Sequence, residues 1–400
     1  MLVQSTFLQV IASQKESLTQ QKIGLKRDAL QKLPDLSSHV LIVSGIRRCG
    51  KSTLLFQLLQ DKYKDALYLN FEDPRLYDFE QNDFLRLDEV IKQLDVKVLL
   101  FDEVQIIPEW EKYVRQKLDE GYKMVVTGAN SSLLSRELGT KLTGRHITKE
   151  LFPFSYQEFN AFLNYQANEE SVLKYLKTGG FPEYVKQGTD EILHHLFEDI
   201  LIRDIAVRYG IRDVKNLQRL ALYLMSNVAK LITGNRLKTL FNIAATSTIM
   251  EYLSHLEYAY LFQFIPKFSY SVRKQMVNPR KVYAIDTGMV QVNSASFSDD
   301  DGRKFENLVY LKLRRSYQEI YYFADKGECD FIVFNKGSIS EAIQVCYQLN
   351  QDNIDREING LIAALEFFKL EQGTLVTLNQ TELIQKNSYT INVVPSYEWI

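Results

Sequence analysis

Nine consecutive residues, Gly45-Ile46-Arg47-Arg48-Cys49-Gly50-Lys51-Ser52-Thr53, bring together the residue types that hold a polyphosphate. The spacing is a glycine, four residues, then Gly-Lys-Ser, with the apolar run HVLIVS before it and the helix-forming run KSTLLFQLLQ after it. Glycines let backbone N–H groups curl around phosphate oxygens, and the N-terminus of the following helix adds the positive end of its dipole. In such a loop a lysine, here Lys51, bridges the β- and γ-phosphates, and the Ser52 hydroxyl is a ligand of Mg²⁺. The expected ligand is therefore ATP with Mg²⁺, bound by all nine residues of the loop.

A second constellation completes the chemistry. The strand-like run Val98-Leu99-Leu100-Phe101 ends in two carboxylates, Asp102 and Glu103. Asp102 is expected to hold Mg²⁺, and Glu103 to polarise the water that attacks the γ-phosphate. The next run ends in Thr127-Gly128-Ala129-Asn130-Ser131-Ser132, where Thr127 or Asn130 can sense the γ-phosphate and orient water. Arg136 and Arg145 follow. Arg145 is a candidate arginine finger, supplied within the chain or to a neighbouring copy, and a homo-oligomer would be compatible with the latter. Glu103, Lys51, Asn130 and Arg145 make up the expected catalytic set. Arg47 and Arg48 add charge near the phosphates or point outward. Cys49 reads as a spacer, with oxidative inhibition the alternative for a thiol beside the phosphates.

The elements that must position these residues are legible as alternating strands and helices. Strand-like runs at 39–45, 66–72, 96–103 and 123–128 are separated by helical ones, which predicts a mostly parallel α/β sheet. Residues 1–37 read as polar and helical. Helical periodicity dominates 155–259, and strand-like runs return after 260 around one strong helix, KFENLVYLKLRRSY. The expected division is 1–153, a P-loop domain with an N-terminal helical segment; 154–294, helical with a winged-helix element; and 295–400, a further α/β domain.

Composition bounds the rest. A chain of 400 residues, 46% hydrophobic, can build two or three cores. Its net charge of −2 argues against non-specific nucleic-acid binding across the whole surface. No apolar run reaches membrane-spanning length, and three cysteines, Cys49, Cys329 and Cys346, show neither a paired framework nor metal spacing. A cytoplasmic protein is expected.

The loop and acidic motifs, together with Gly179-Gly180-Phe181-Pro182-Glu183-Tyr184, the run EDILIRDIAVRYGI and the ending INVVPSYEWI, closely resemble prokaryotic AAA-type ATPases that carry a C-terminal region of unknown function. The resemblance implies ATP binding and hydrolysis, a winged-helix element, and a C-terminal fold like that of restriction endonucleases. The residues agree in part. RLKTLFNI, the turn AATS and TSTIMEYLSHLEYAYL read as a helix-turn-helix, followed by a basic wing of Lys267, Arg273, Lys274, Arg280 and Lys281. The second helix carries Glu251 and Glu257 but no Lys or Arg, which favours a structural or protein-contacting winged helix over sequence-specific DNA reading. In the C-terminal part Glu306 and Asp330 match two nuclease acids, while Gln344 and Cys346 stand where an acid and a lysine are needed. A degenerate, non-cutting fold is the expectation, with Lys326 or Lys336 as substitutes for the lysine. The alternatives are an ATP-regulated nuclease and a DNA-binding module that does not cut.

Overall fold

The structure is a computed structural model, and it describes residues 2–20, 24–129, 142, 144–295 and 300–400. Two compact units divide the chain, Met1–Phe152 and Pro153–Ile400.

The first unit is built on a five-stranded parallel sheet in the order β2-β3-β4-β1-β5, with β1 Val40–Ser44, β2 Leu67–Asn70, β3 Val98–Asp102, β4 Lys123–Gly128 and β5 His146–Glu150. Every residue of β1 is buried, as an interior strand covered on both faces requires. Among the described residues the helices packed around the sheet are α1 Gln4–Gln20, α2 Asp28–Gln31, α3 Lys51–Asp61, α4 Asp83–Gln93 and α5 Trp110–Asp119. The polar reading of the N-terminal segment holds for one face only. Phe7, Val10 and Ile11 of α1 enter the same core as Leu69, Phe101 and Val126, and the Phe7 ring meets Phe79 edge-on at 5.9 Å. The fifth strand, β5, was not expected. Its residues are only partly buried and mostly polar, so no apolar run marks it.

The second unit contains a three-stranded antiparallel sheet and a six-stranded mixed sheet. The smaller has the order β6-β8-β7, from β6 Leu231–Ile232, β7 Phe262–Pro266 and β8 Arg280–Ala284. Helices Val214–Met225, Gly234–Phe241 and Thr246–Tyr258 precede its outer strands, and Val272–Val277 forms a short helix between β7 and β8. The larger has the order β13-β14-β12-β11-β10-β9, from β9 Glu319–Ala324, β10 Glu328–Asn335, β11 Ser338–Val345, β12 Gln372–Thr377, β13 Glu382–Lys386 and β14 Tyr389–Pro395. Helix Asp301–Ser316 leads into it and helix Ile354–Phe368 joins β11 to β12.

The Gly179-Gly180 pair has a packing reason. Gly179 has φ 69°, and a Cβ there would fall 2.2 Å from the Asp286 carboxylate; a Cβ on Gly180 would fall 2.2 Å from the Phe154 carbonyl. The backbone comes close because Gly180 N–H donates to Asp286 Oδ2 at 2.6 Å, while Met289 N–H donates to Oδ1 at 2.9 Å. Burial raises the Asp286 carboxyl to about 6, against the pull of those N–H donors.

Candidate nucleotide-binding site

The loop Gly45–Gly50 leaves the C-terminal end of β1 and runs straight into α3, which begins at Lys51. In parallel sheets ligands sit at that end, and the first N–H groups of α3 have no partner within their own helix. The tight path relies on unusual backbone angles: Gly50 has φ 103° and Arg48 φ 62°. Gly45 is sterically required, because a Cβ there would lie 2.2 Å from the Leu151 carbonyl.

Strand β4 lies between β1 and β3, and it carries Thr127 to the acidic pair. The Thr127 hydroxyl donates to Asp102 Oδ1, and Glu103 N–H donates back to Thr127 Oγ1 at 3.1 Å. Tyr68, from β2, donates to Asp102 Oδ2 at 2.8 Å, and Ser52 also hydrogen-bonds this carboxylate. The two side chains expected to hold Mg²⁺, Ser52 and Asp102, are thus in contact. Burial, then the neighbouring Glu103, holds Asp102 above the ordinary carboxylate range despite these three hydroxyl donors. A buried carboxylate of that kind fits a divalent cation, whose charge would offset both causes.

Lys51 is buried. Its Nζ donates to the carbonyls of Gly45 at 3.1 Å and Ile46 at 3.2 Å, and lies 3.7 Å from Glu103 Oε1. Burial alone would lower its pKa; Glu103, Cys49 and Asp102 outweigh burial and the net shift is upward. Glu103 adopts φ 53°, a left-handed conformation uncommon for a side chain of this size, and its other oxygen accepts from Gln105 Nε2 at 2.5 Å.

Other expected residues fall differently. Arg47 is half-buried and faces Glu72 at 3.5 Å, whereas Arg48 is exposed. Cys49 is fully buried and burial pushes its thiol up, so the thiolate needed for oxidation is disfavoured. Asn130 and Arg136 lie outside the described residues. Arg145 requires a correction. It directly precedes β5, and the parallel register pairs Val40, the first residue of β1, with His146. The loop leaves the other end of β1, on the order of 15 Å away at about 3.3 Å per residue. Arg145 instead pairs with Asp119 at 2.5 Å. The structure therefore places it away from its own loop.

Two neighbours of the site were missed in the sequence. Tyr68 carries no motif and reaches Asp102 only through the β2–β3 pairing, in which Asn70 stands opposite Asp102. Arg27, in the segment before β1, bonds the Cys49 carbonyl.

In the second unit Lys281 also requires correction. It is not part of a solvent-facing basic wing but is buried, with Nζ 2.8 Å from Asp330 Oδ1, 3.1 Å from Glu306 Oε1 and 3.4 Å from Glu328 Oε1. The lysine that meets the two nuclease-like acids is therefore Lys281, from β8, and not Lys326 or Lys336. Glu306 also accepts from the Tyr283 hydroxyl at 2.6 Å. Burial, then Asp330, raises the Glu306 carboxyl, and Lys281 opposes both. Gln344 is turned elsewhere: its Nε2 donates to Glu357 at 2.6 Å and its Oε1 accepts from Asp330 N–H at 3.2 Å. Of the other wing residues, Arg273 and Lys274 are exposed and Lys267 and Arg280 are half-buried.

A parallel sheet with the phosphate loop after its interior strand β1, and an acid and a hydroxyl on the neighbouring strands β3 and β4, is the arrangement of a P-loop nucleotide-binding domain. Residues 37–160 match the family model described as AAA domain, and residues 169–299 match a domain of unknown function, DUF8612. The chain belongs to the same family as the uncharacterized protein MJ1544 of Methanocaldococcus jannaschii, to which it is 34% identical across 98% of this chain and 94% of that one. An uncharacterized protein of Haemophilus influenzae is 29% identical across 87% of this chain and 92% of its own length. Among solved structures, CDC6P from Pyrobaculum aerophilum is 14% identical with a TM-score of 0.30, covering 69% of this chain and 94% of that one. PCH-2 of C. elegans is 15% identical with a TM-score of 0.25, covering 62% and 68%. Likenesses this weak carry no structural argument. Among the described residues no helix is long and apolar enough to cross a membrane.

Proposed function

We propose that this AAA-type protein is a cytoplasmic Mg²⁺-dependent ATPase that works as a nucleotide-driven switch. ATP lies along Gly45–Thr53, Lys51 meets its β- and γ-phosphates, and Ser52 and Asp102 hold the metal ion that neutralises them. Glu103 orients the attacking water, and Thr127 fixes the Glu103 backbone relative to Asp102. The observation that carries the reading is the contact of Ser52, Thr127 and Tyr68 with one buried carboxylate beside Lys51 and Glu103. Asn130 remains a second candidate for sensing the γ-phosphate, and Arg145 for serving a neighbouring copy.

The output of the switch is contact with a partner through the second unit. The element order, with three helices, a three-stranded sheet and a short helix between its last two strands, supports a winged-helix element within 154–294. The acid pair Glu306 and Asp330, bound to Lys281, supports a non-cutting C-terminal domain. Exposed Arg273 and Lys274 stand beside exposed Tyr270, Val272, Met276 and Val277, a mixed surface that favours a protein partner and leaves DNA as the second reading. The deciding experiment is ATP turnover by the purified full chain with Mg²⁺, with and without DNA. Absence of turnover under both conditions overturns the ATPase reading. Salt-sensitive retention of DNA promotes the second reading.

A further inference from the structure

Arg27 lies outside every motif of the phosphate site and is nevertheless only 3% exposed. Its Nη1 donates to the Cys49 carbonyl at 2.7 Å and its Nη2 to the Phe152 carbonyl at 2.8 Å. Its backbone N–H donates to Gln57 Oε1 at 3.1 Å, and Gln57 Nε2 returns a bond to the Leu25 carbonyl at 2.8 Å. Gln57 belongs to α3, the helix that begins with Lys51 and Ser52. The backbone at Arg27 is therefore tied to the helix, while its guanidinium is held by the loop and by the chain after β5.

The bond to Cys49 has a geometric consequence. The Cys49 carbonyl and the Gly50 N–H are the two sides of one planar trans peptide and point in opposite directions. Arg27 draws the carbonyl outward, which turns the Gly50 N–H toward the concave side of the loop. A free peptide at this position could flip; one tethered to a buried, planar guanidinium cannot do so without breaking a charge-assisted hydrogen bond. Gly50 fits the same arrangement. Its φ of 103° disfavours a side chain, and a Cβ there would sit 2.9 Å from Arg27 Nη1.

We propose that Arg27 is a positioning residue of the phosphate loop, holding the peptide between Cys49 and Gly50 with its N–H aimed at the β-phosphate of the nucleotide. The proposal rests on the reading of this loop as the nucleotide site. Arg27 does not touch the ligand; it prepares a donor that does. Because the β-phosphate is common to ATP and ADP, loss of Arg27 weakens both by a similar factor.

The test uses the full chain and the variants Arg27→Ala and Arg27→Lys, with melting curves to establish folding and calorimetry to measure Mg-ATP and Mg-ADP. Arg27→Ala should lose about 10-fold or more in affinity for both nucleotides, the scale of one charge-assisted hydrogen bond. Arg27→Lys, which can still reach the Cys49 carbonyl, should recover part of it. A nuclear magnetic resonance readout separates positioning from general support: the Gly50 amide signal should move on adding Mg-ADP to the wild type and move much less in Arg27→Ala. If Arg27→Ala fails to fold, the same two readouts are taken on Arg27→Lys, with an intermediate loss expected. Nucleotide binding by the wild type with unchanged affinity in the folded variants overturns the proposal and leaves the site reading intact. So does a loss confined to ATP, or an unchanged Gly50 response. A wild type that binds no nucleotide removes the site reading itself.

Discussion

Lys51 Nζ lies 3.7 Å from Glu103 Oε1, so the residue expected on the phosphates and the residue expected on the water share one ion pair. The pair joins the start of α3 to the end of β3 across β4. A γ-phosphate would compete with Glu103 for the ammonium, and that competition gives both substitutions a definite sign.

Lys51→Ala should abolish ATP binding or weaken it greatly. It removes the buried cation that the motif places on the β- and γ-phosphates. Calorimetry with Mg-ATP checks this, and unchanged affinity in a folded variant would refute the site.

Glu103→Gln should separate binding from turnover. The amide keeps the size of the side chain and Asp102 still serves the metal, but the charge that aligns water is lost. Loss of charge also frees Lys51 for the nucleotide, so ATP should bind at least as well as in the wild type and persist uncleaved. Wild-type turnover, measured as phosphate release, would assign water activation to another residue.

The protein should show no metal-dependent cleavage of supercoiled, linear or single-stranded DNA with Mg²⁺ or Mn²⁺, with or without ATP. Gln344 is bonded to Glu357, and Lys281 Nζ sits directly on both remaining acids. While it is paired with both acids that ammonium is not directed at an attacking water or a developing phosphorane, and loss of one such electrostatic group commonly costs about 100-fold or more in rate. Cleavage that disappears in an Asp330→Ala control would promote the nuclease reading.

Lys281→Met should destabilise the second unit by about 3–5 kcal/mol, the usual cost of leaving buried charge without its partner. Adding Asp330→Asn to it should return part of the loss. Urea denaturation of the single and double variants measures the coupling, and a loss below about 1 kcal/mol for Lys281→Met would place it with ordinary surface changes.

Asp286 should give a pH dependence of identifiable sign. Its folded pKa is about 6, above the ordinary 3.8. Between about 4 and 6 the folded chain therefore binds more protons at this group than the unfolded chain does, and stability from it falls as pH rises through that window. Above about 6 the effect is constant. The difference in stability between wild type and Asp286→Asn, measured at pH 4.5 and pH 7, should shrink or change sign as pH rises. A difference independent of pH would contradict the assignment.

The phosphate loop and the acidic strand end were legible because each is a local pattern. Glycine spacing, one lysine and an apolar run ending in two acids specify their own backbone paths. The same locality made β1 to β4 and helix Asp301–Ser316 readable, since each buries a continuous apolar run or stripe. Elements without such a run escaped: β5 is half-buried and polar, and β13 is largely exposed. Helix Ile354–Phe368 was missed although it buries the stripe Ile358, Leu361 and Leu365.

What one stretch of sequence cannot carry is the direction of strands and the partner across a sheet. The sequence determined a glycine-lysine-serine loop, an acid pair and the residues able to serve ATP and Mg²⁺. Tertiary structure alone decided that Arg145 lies at the far end of β1, that Tyr68 and Thr127 close on Asp102, and that Arg27 reaches the loop from the N-terminal segment. It also took Lys281 from an expected wing into a buried pair with Asp330. The reason is physical: a buried charge goes to whichever opposite charge shares its low-dielectric surroundings, and strand pairing brings together residues that lie far apart along the chain.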